Sequence, residues 1–154
     1  MTQATGVEPV VRSVTVSAPQ ISAFELFTEG IGRWWPLGTH SVLGDRAETV
    51  VFEGKVDGRI FERSGDGEEV DWGRVIVWEP PNRILFSWSP EPGTEVPTEV
   101  EVTFTTEAGA TRVELHHRGW ERLGDQGPVK RSSYSAVDGW TLVIDAYDAA
   151  SNGS

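Results

Sequence analysis

Hydrophobic and polar positions alternate with a period of two along most of the chain and change to a helical period near its C-terminal end. Residues 10–16 open as a strand, with Val10, Arg12, Val14 and Val16 on one face and Val11, Ser13 and Thr15 on the other. Ser17-Ala18-Pro19-Gln20 reads as a helix start, with Ser17 as the cap, Pro19 in the first turn and Gln20 at the reciprocal capping position. The helix that follows carries Ile21, Phe24, Leu26 and Phe27. A second short helix, loosened by Gly30 and Gly32, leads to Trp34-Trp35 and stops at Pro36, and 37–46 is loop. Alternation then predicts strands over 49–56, 59–63, 70–78, 84–88, 98–106 and 111–118. Asp57-Gly58, Gly65-Asp66-Gly67, Pro80-Pro81-Asn82 and Ala108-Gly109 mark the turns between them, and Pro90 to Pro97 is a longer connection. After Gly127-Pro128, the recurrence of Val137, Trp140, Ile144 and Tyr147 predicts a helix over 129–149.

Six consecutive strands after a strand and two short helices make an α+β domain with a curved antiparallel sheet of about seven strands. One face of that sheet is apolar and must be covered. The terminal amphipathic helix is the only element long enough to cover it. A curved sheet wrapped around one helix leaves room for a ligand cavity between them. Residues 1–9 are expected as a flexible N-terminus, 10–150 as the domain and 151–154 as a disordered tail.

Composition narrows the chemistry. The 154 residues carry 13 basic and 24 acidic side chains, a formal charge of −11, which argues against nucleic acid and anionic membranes as partners. No cysteine is present, so disulfides, thiolate metal sites and a cysteine nucleophile are excluded. No stretch reaches the roughly 20 apolar residues of a membrane span, and no signal peptide opens the chain, so a cytoplasmic location is expected. Seven tryptophans imply either a large core or a lined cavity.

Catalytic motifs are missing. His116 and His117 are strand neighbours that point to opposite faces, so they cannot share a metal ion, and His40 has no acidic partner at ligand spacing. No serine sits in a nucleophile elbow and no glycine loop has the spacing that cradles phosphate. Neither a metal, a cofactor nor a catalytic residue is therefore assigned. His117 shares its face with Val113 and Leu115, so it points inward. It serves there either as a polar anchor for a ligand or base, or as a core histidine satisfied by Tyr134, Tyr147 or a backbone carbonyl. Trp34-Trp35 either gates a cavity mouth or plugs the open end of the sheet. Trp72 and Trp78 share a parity with Arg74, and a bulge would exchange their faces. Arg59 and Arg74 either clamp a ligand carboxylate or pair with acidic neighbours across the sheet.

The residues Phe24-Glu25-Leu26-Phe27-Thr28-Glu29-Gly30-Ile31-Gly32-Arg33-Trp34-Trp35-Pro36, Val56-Asp57-Gly58-Arg59-Ile60-Phe61-Glu62 and Trp72-Gly73-Arg74-Val75 carry a resemblance. So do Trp78-Glu79-Pro80-Pro81-Asn82-Arg83-Ile84, Thr98-Glu99-Val100, Thr111-Arg112-Val113-Glu114-Leu115 and Arg118-Gly119-Trp120-Glu121. In these motifs the chain resembles the START-like (SRPBCC) superfamily, whose fold is the helix grip. More narrowly, it is similar to bacterial stand-alone relatives of the C-terminal domain of the activator of the ninety-kilodalton heat-shock-protein ATPase. The resemblance implies a small soluble domain with a cavity for a hydrophobic or aromatic ligand. Its motifs are structural, and they specify the fold better than any activity.

The candidate cavity-lining residues are Trp35, Phe52, Phe61, Val75, Phe86, Trp88, Phe104, His117, Trp140, Ile144 and Tyr147. The first reading is a module that binds a small hydrophobic molecule. The second is an interaction protein, chaperone-linked or stress-related, forming a homodimer through an exposed tryptophan face. The third is an enzyme, a cyclase or dehydratase acting on a polyketide-like substrate, which needs at least two polar groups converging inside the cavity.

Overall fold

The computed structural model describes residues 8–89, 97–137 and 139–152. Strand β1 (Val10–Val16) is followed by α1 (Gln20–Phe27), a 3-10 turn at Ile31–Arg33 and another at Gly44–Arg46. Strands β2 (Ala47–Phe52), β3 (Arg59–Ser64), β4 (Glu69–Glu79), β5 (Arg83–Trp88), β6 (Thr98–Glu107) and β7 (Ala110–Arg118) then run antiparallel, each beside the last. β7 returns to pair with β1, giving a seven-stranded sheet of order β1-β7-β6-β5-β4-β3-β2. A 3-10 segment (Trp120–Gln126), α2 (Gly127–Ser135) and α3 (Trp140–Asn152) complete the chain, and the sheet curls around this helical segment as a helix grip.

Alternation explains the grip. Val100, Val102 and Phe104 of β6 pair with His117, Leu115 and Val113 of β7, and all six are buried on the concave face. Onto them α3 lays Trp140, Val143, Ile144 and Tyr147, none more than 3% exposed. Burial of each such side chain contributes about 1.5–3 kcal/mol relative to leaving it in water.

Three local expectations are corrected. The helix expected over 129–149 is broken, because Ala136 is extended (φ −66, ψ 163) and ends α2. Gly139 makes the return, since a Cβ there would lie 2.3 Å from the Tyr134 carbonyl oxygen. Val137, placed on the apolar stripe by periodicity, falls in this break and is 83% exposed. Secondly, no side chain caps α1. Gln20 instead donates to the Phe104 carbonyl at 2.7 Å and to Asn82 Oδ1 at 3.0 Å, tying the helix start to the sheet. Thirdly, residues 151 and 152 belong to α3 and not to a tail. The expected connection at 90–96 and the termini 1–7 and 153–154 lie outside the described residues.

Two irregularities in β4 settle where its tryptophans point. The β3 pairing passes from Gly73 to Asp71 and skips Trp72, and the β5 register shifts again between Val75 and Val77. Trp72, Val75 and Trp78, three residues apart each time, therefore all join the core. Gly73 permits the first irregularity, because a Cβ at that position would meet the Ser87 carbonyl oxygen at 1.8 Å. Gly73→Ala is expected to lower unfolding free energy in urea by about 3 kcal/mol or more through this backbone clash. Gly38→Ala, where a Cβ meets nothing within 4 Å, is expected to stay within about 0.5 kcal/mol of the parent; equal effects would refute the assignment.

Candidate functional site

The grip is filled at one end and hollow at the other. At the α1 end, Phe24 and Phe27 pack edge-on to Phe104 with ring centroids 5.1 and 5.9 Å apart, and Tyr147 meets Phe27 and Trp34 at 5.2 Å each. At the other end a cavity of about 270 Å³ opens between the β4–β5 part of the sheet, the loop after Trp35 and the α2–α3 corner. Its floor is Trp35, Trp72, Trp88, Trp140 and Val143, all buried. Thr39, His40, Ser41 and Val42 form one side of the rim, and Ser133, Tyr134 and Gly139 the other.

The floor rings are tilted against one another, with Trp35–Trp72, Trp72–Trp88 and Trp88–Trp140 centroids 4.9, 5.5 and 5.4 Å apart. Each ring is also fixed by its N–H. Trp35 donates to the His40 carbonyl (2.7 Å), Trp72 to Glu62 Oε1 (2.8 Å), Trp88 to the Tyr134 hydroxyl (3.0 Å) and Trp140 to His117 Nδ1 (2.8 Å).

His117 lies beneath this floor, fully buried. Its Nδ1 accepts from Trp140, which places the ring proton on Nε2, and Nε2 then donates to Thr98 Oγ1 at 2.6 Å. Thr98 passes its own proton to the Trp88 carbonyl at 3.2 Å. Every donor and acceptor in this relay is matched only if the imidazole is neutral, and burial pushes its pKa down to about 3. The core-histidine expectation holds in kind, but the partners are Thr98 and Trp140. Tyr134 offers only a ring contact at 4.8 Å, and the Tyr147 hydroxyl donates to Ala23 O at 2.8 Å.

Over residues 17–150 the chain matches the family model described as Activator of Hsp90 ATPase homolog 1-like protein. The chain belongs to this family. A search of curated proteins returned no match. Among solved structures, the chain is 31% identical to an anthrahydroquino-gamma-pyrone synthase, Txn09, complexed with SUM; 95% of this chain and 98% of that one align, with a TM-score of 0.61. The self-sacrificing resistance protein CalC from Micromonospora echinospora is 26% identical over 95% of each chain, with a TM-score of 0.68. The Aha1 dimer from Colwellia psychrerythraea shares the fold, at 15% identity over 92% of this chain and 94% of that one, with a TM-score of 0.62.

Within this family fold, the candidate residues separate by position. Trp35, Trp88 and Trp140 stand in the cavity wall, with His117 directly behind them. Phe52, Val75, Phe86, Phe104, Ile144 and Tyr147 are buried core residues that do not reach the cavity surface. Phe61 lies on the opposite face of the sheet, beneath the Arg59 and Arg63 guanidinium groups, 4.1 and 5.3 Å from its ring centroid. Arg59 also binds Asp71 (2.6 Å) and Glu69 (3.0 Å), and Arg74 donates to the Asp57 carbonyl (3.2 Å), so neither enters the cavity. His116 faces outward to Glu114 at 3.1 Å, and no group of three metal-ligating side chains exists among the described residues. A hollow of about 720 Å³ beside α1 and β2, with Glu25, Glu29, Arg33 and Thr49 on its walls, holds none of the candidates.

One residue that periodicity did not single out organises the rim. Glu62 is fully buried and accepts from the Val42 and Leu43 amides at 2.6 and 2.8 Å as well as from Trp72. A single carboxylate thus anchors the loop that forms the rim and the indole that forms the floor. The signal was present in parity: Ile60, Glu62 and Ser64 share a face, and Ile60 is core.

Two outcomes follow for measurement. Below about pH 6.5 the unfolded chain protonates His117 and the folded chain does not, so this residue's stability contribution is present above 6.5 and is lost as pH falls towards 3. Between pH 6.5 and about pH 5 the stability difference between the parent and His117→Gln is expected to shrink by about 1.5 kcal/mol in urea titrations; a constant difference would refute the neutral relay. Glu62→Gln puts an amide N–H₂ against N–H donors and is expected to cost about 1–3 kcal/mol, with faster hydrogen exchange at Val42 and Leu43. Unchanged exchange there would show that the loop is held by something else.

Proposed function

We propose that this protein binds a small planar aromatic molecule in the tryptophan-floored cavity. The observation that carries the reading is the division of the cavity into a continuous apolar floor of four indoles and a rim bearing hydroxyl groups. Its volume of about 270 Å³ is close to the lower end of the roughly 300–1,000 Å³ usual for small-molecule sites. That space suits two or three fused rings. The 31% identity to a protein named as a synthase of an anthrahydroquino-gamma-pyrone supports a fused aromatic ligand.

A second reading is an enzyme working on the same ligand class. It is favoured by the pair of polar groups at the rim, Thr39 Oγ1 and His40 Nδ1, which are 2.7 Å apart. A ligand oxygen at the rim would lie beside this hydrogen-bonded pair, and proton transfer would require it to come within hydrogen-bond reach of one member. The interaction reading has less support. Six of the tryptophans are no more than 9% exposed and Trp78 packs on the core, so no tryptophan face is presented to a partner.

Isothermal titration with 2-naphthol tests the binding reading. A Kd of about 10–300 μM is expected for a ligand of this size. Ser133→Trp, which fills the cavity from the exposed side of α2, is expected to weaken binding at least tenfold while stability stays within about 0.5 kcal/mol of the parent. Absence of binding by the parent, or equal binding by the variant, would overturn the reading.

A further inference from the structure

We infer that the ligand carries no negative charge and has its polar groups along one edge only. This inference rests on the binding reading above and specifies its ligand class. Each indole has a single hydrogen-bonding atom, and in all four floor residues that atom is already engaged with a protein acceptor: His40 O, Glu62, the Tyr134 hydroxyl and His117. The floor therefore shows a ligand only ring carbon and the methyl groups of Val143. The polar groups behind it are equally committed. Both nitrogens of His117 are bonded, Thr98 donates onward to the Trp88 carbonyl, and Glu62 accepts three N–H groups. A ligand hydroxyl pushed into the floor would be buried with nothing to bond, a loss of roughly tenfold or more in affinity.

The rim is different in kind. The Thr39, Ser41 and Ser133 hydroxyls and the His40 ring stand at its exposed or half-exposed positions, so polar recognition is confined to one side of the cavity. Among the described residues, no Lys, Arg, Asp or Glu contributes to the lining. The nearby guanidinium groups of Arg59 and Arg74 are turned to Asp71, Glu69 and the Asp57 carbonyl. An anion would enter a chain of formal charge −11 with no cationic side chain in the lining to pair with it. The molecule these walls fit is a fused-ring aromatic without an anionic group, with hydroxyl or carbonyl groups on one edge and bare hydrocarbon on the other.

Isomeric probes separate this inference from the binding reading. In calorimetric titrations of the full chain, 2,3-dihydroxynaphthalene, with both hydroxyls on one edge, is expected to bind at least as tightly as 2-naphthol. Its isomer 2,6-dihydroxynaphthalene, with hydroxyls at opposite ends, is expected to bind about tenfold more weakly or worse. 2-Naphthoate is expected to be weaker than 2-naphthol by a similar factor. Equal affinity of the two diols, or tighter binding of the anion, overturns the inference while leaving aromatic binding intact. If 2-naphthol itself fails to bind, the binding reading falls and this inference with it.

Discussion

Burying an indole takes its N–H out of water, and an N–H left without an acceptor costs roughly 1–3 kcal/mol. Six buried tryptophans impose that demand here, and each is met: by the carbonyls of Leu26, His40 and His117, by Glu62, by the Tyr134 hydroxyl and by the His117 ring. Much of the polar interior follows from this requirement. His117 is inside because Trp140 needs an acceptor and Trp120 needs its carbonyl. Glu62 is inside because Trp72 and the amides of Val42 and Leu43 converge on it. Large rings supply the burial, and their single polar atoms decide how the rings stand.

The same rings divide the interior into two halves. Phenylalanines of α1 and β6, with Trp34 and Tyr147, pack the core at the α1 end with edge-to-face contacts. At the other end the tryptophans are held back from each other by their bonds to sheet, loop and helix, and the cavity is what remains. Apart from the buried Glu62 carboxylate, which accepts three N–H groups, the charged side chains of the described residues are kept to the outside. The ion pairs of Arg46, Arg59, Arg63, Arg83 and Arg118 lie on the outer surface, where such pairs contribute at most about 1 kcal/mol each.

The sheet and the apolar stripe of α3 are legible in the sequence, since period-two alternation in β6 and β7 and the Trp140–Ile144–Tyr147 spacing report directly on which side is buried. The strand expected over 49–56, by contrast, ends at Phe52, and the helix expected over 129–149 is two. What alternation cannot report is an extra residue. The skipped Trp72 and the second shift at Val75 break the parity of β4, so the sequence left open which face carries its tryptophans. On β3 the weight of a single aromatic side chain favoured Phe61 over Glu62 as an inward residue. The strand does the reverse, because Ile60 faces inward and alternation carries Glu62 with it, while Phe61 is sheltered by two guanidinium groups. The rim escaped for another reason. Loop 37–43 has no period, and its position is written in the side chain of a distant strand.

The relay that joins Trp88, Thr98, His117 and Trp140 spans more than 50 residues of chain, and that span has a consequence for assembly. Contacts so distant in sequence form late, after the entropy of closing the intervening loops has been met. During synthesis the sheet leaves the ribosome before α3 does. For that interval its concave face, with Trp72 and Trp88 on it, has no lid and is the kind of surface that chaperones and neighbouring nascent chains engage. The turns of α3, translated after the sheet, thus act as the capstone of an arch: the stones are cut to shape beforehand, but the vault bears load only once that one is set.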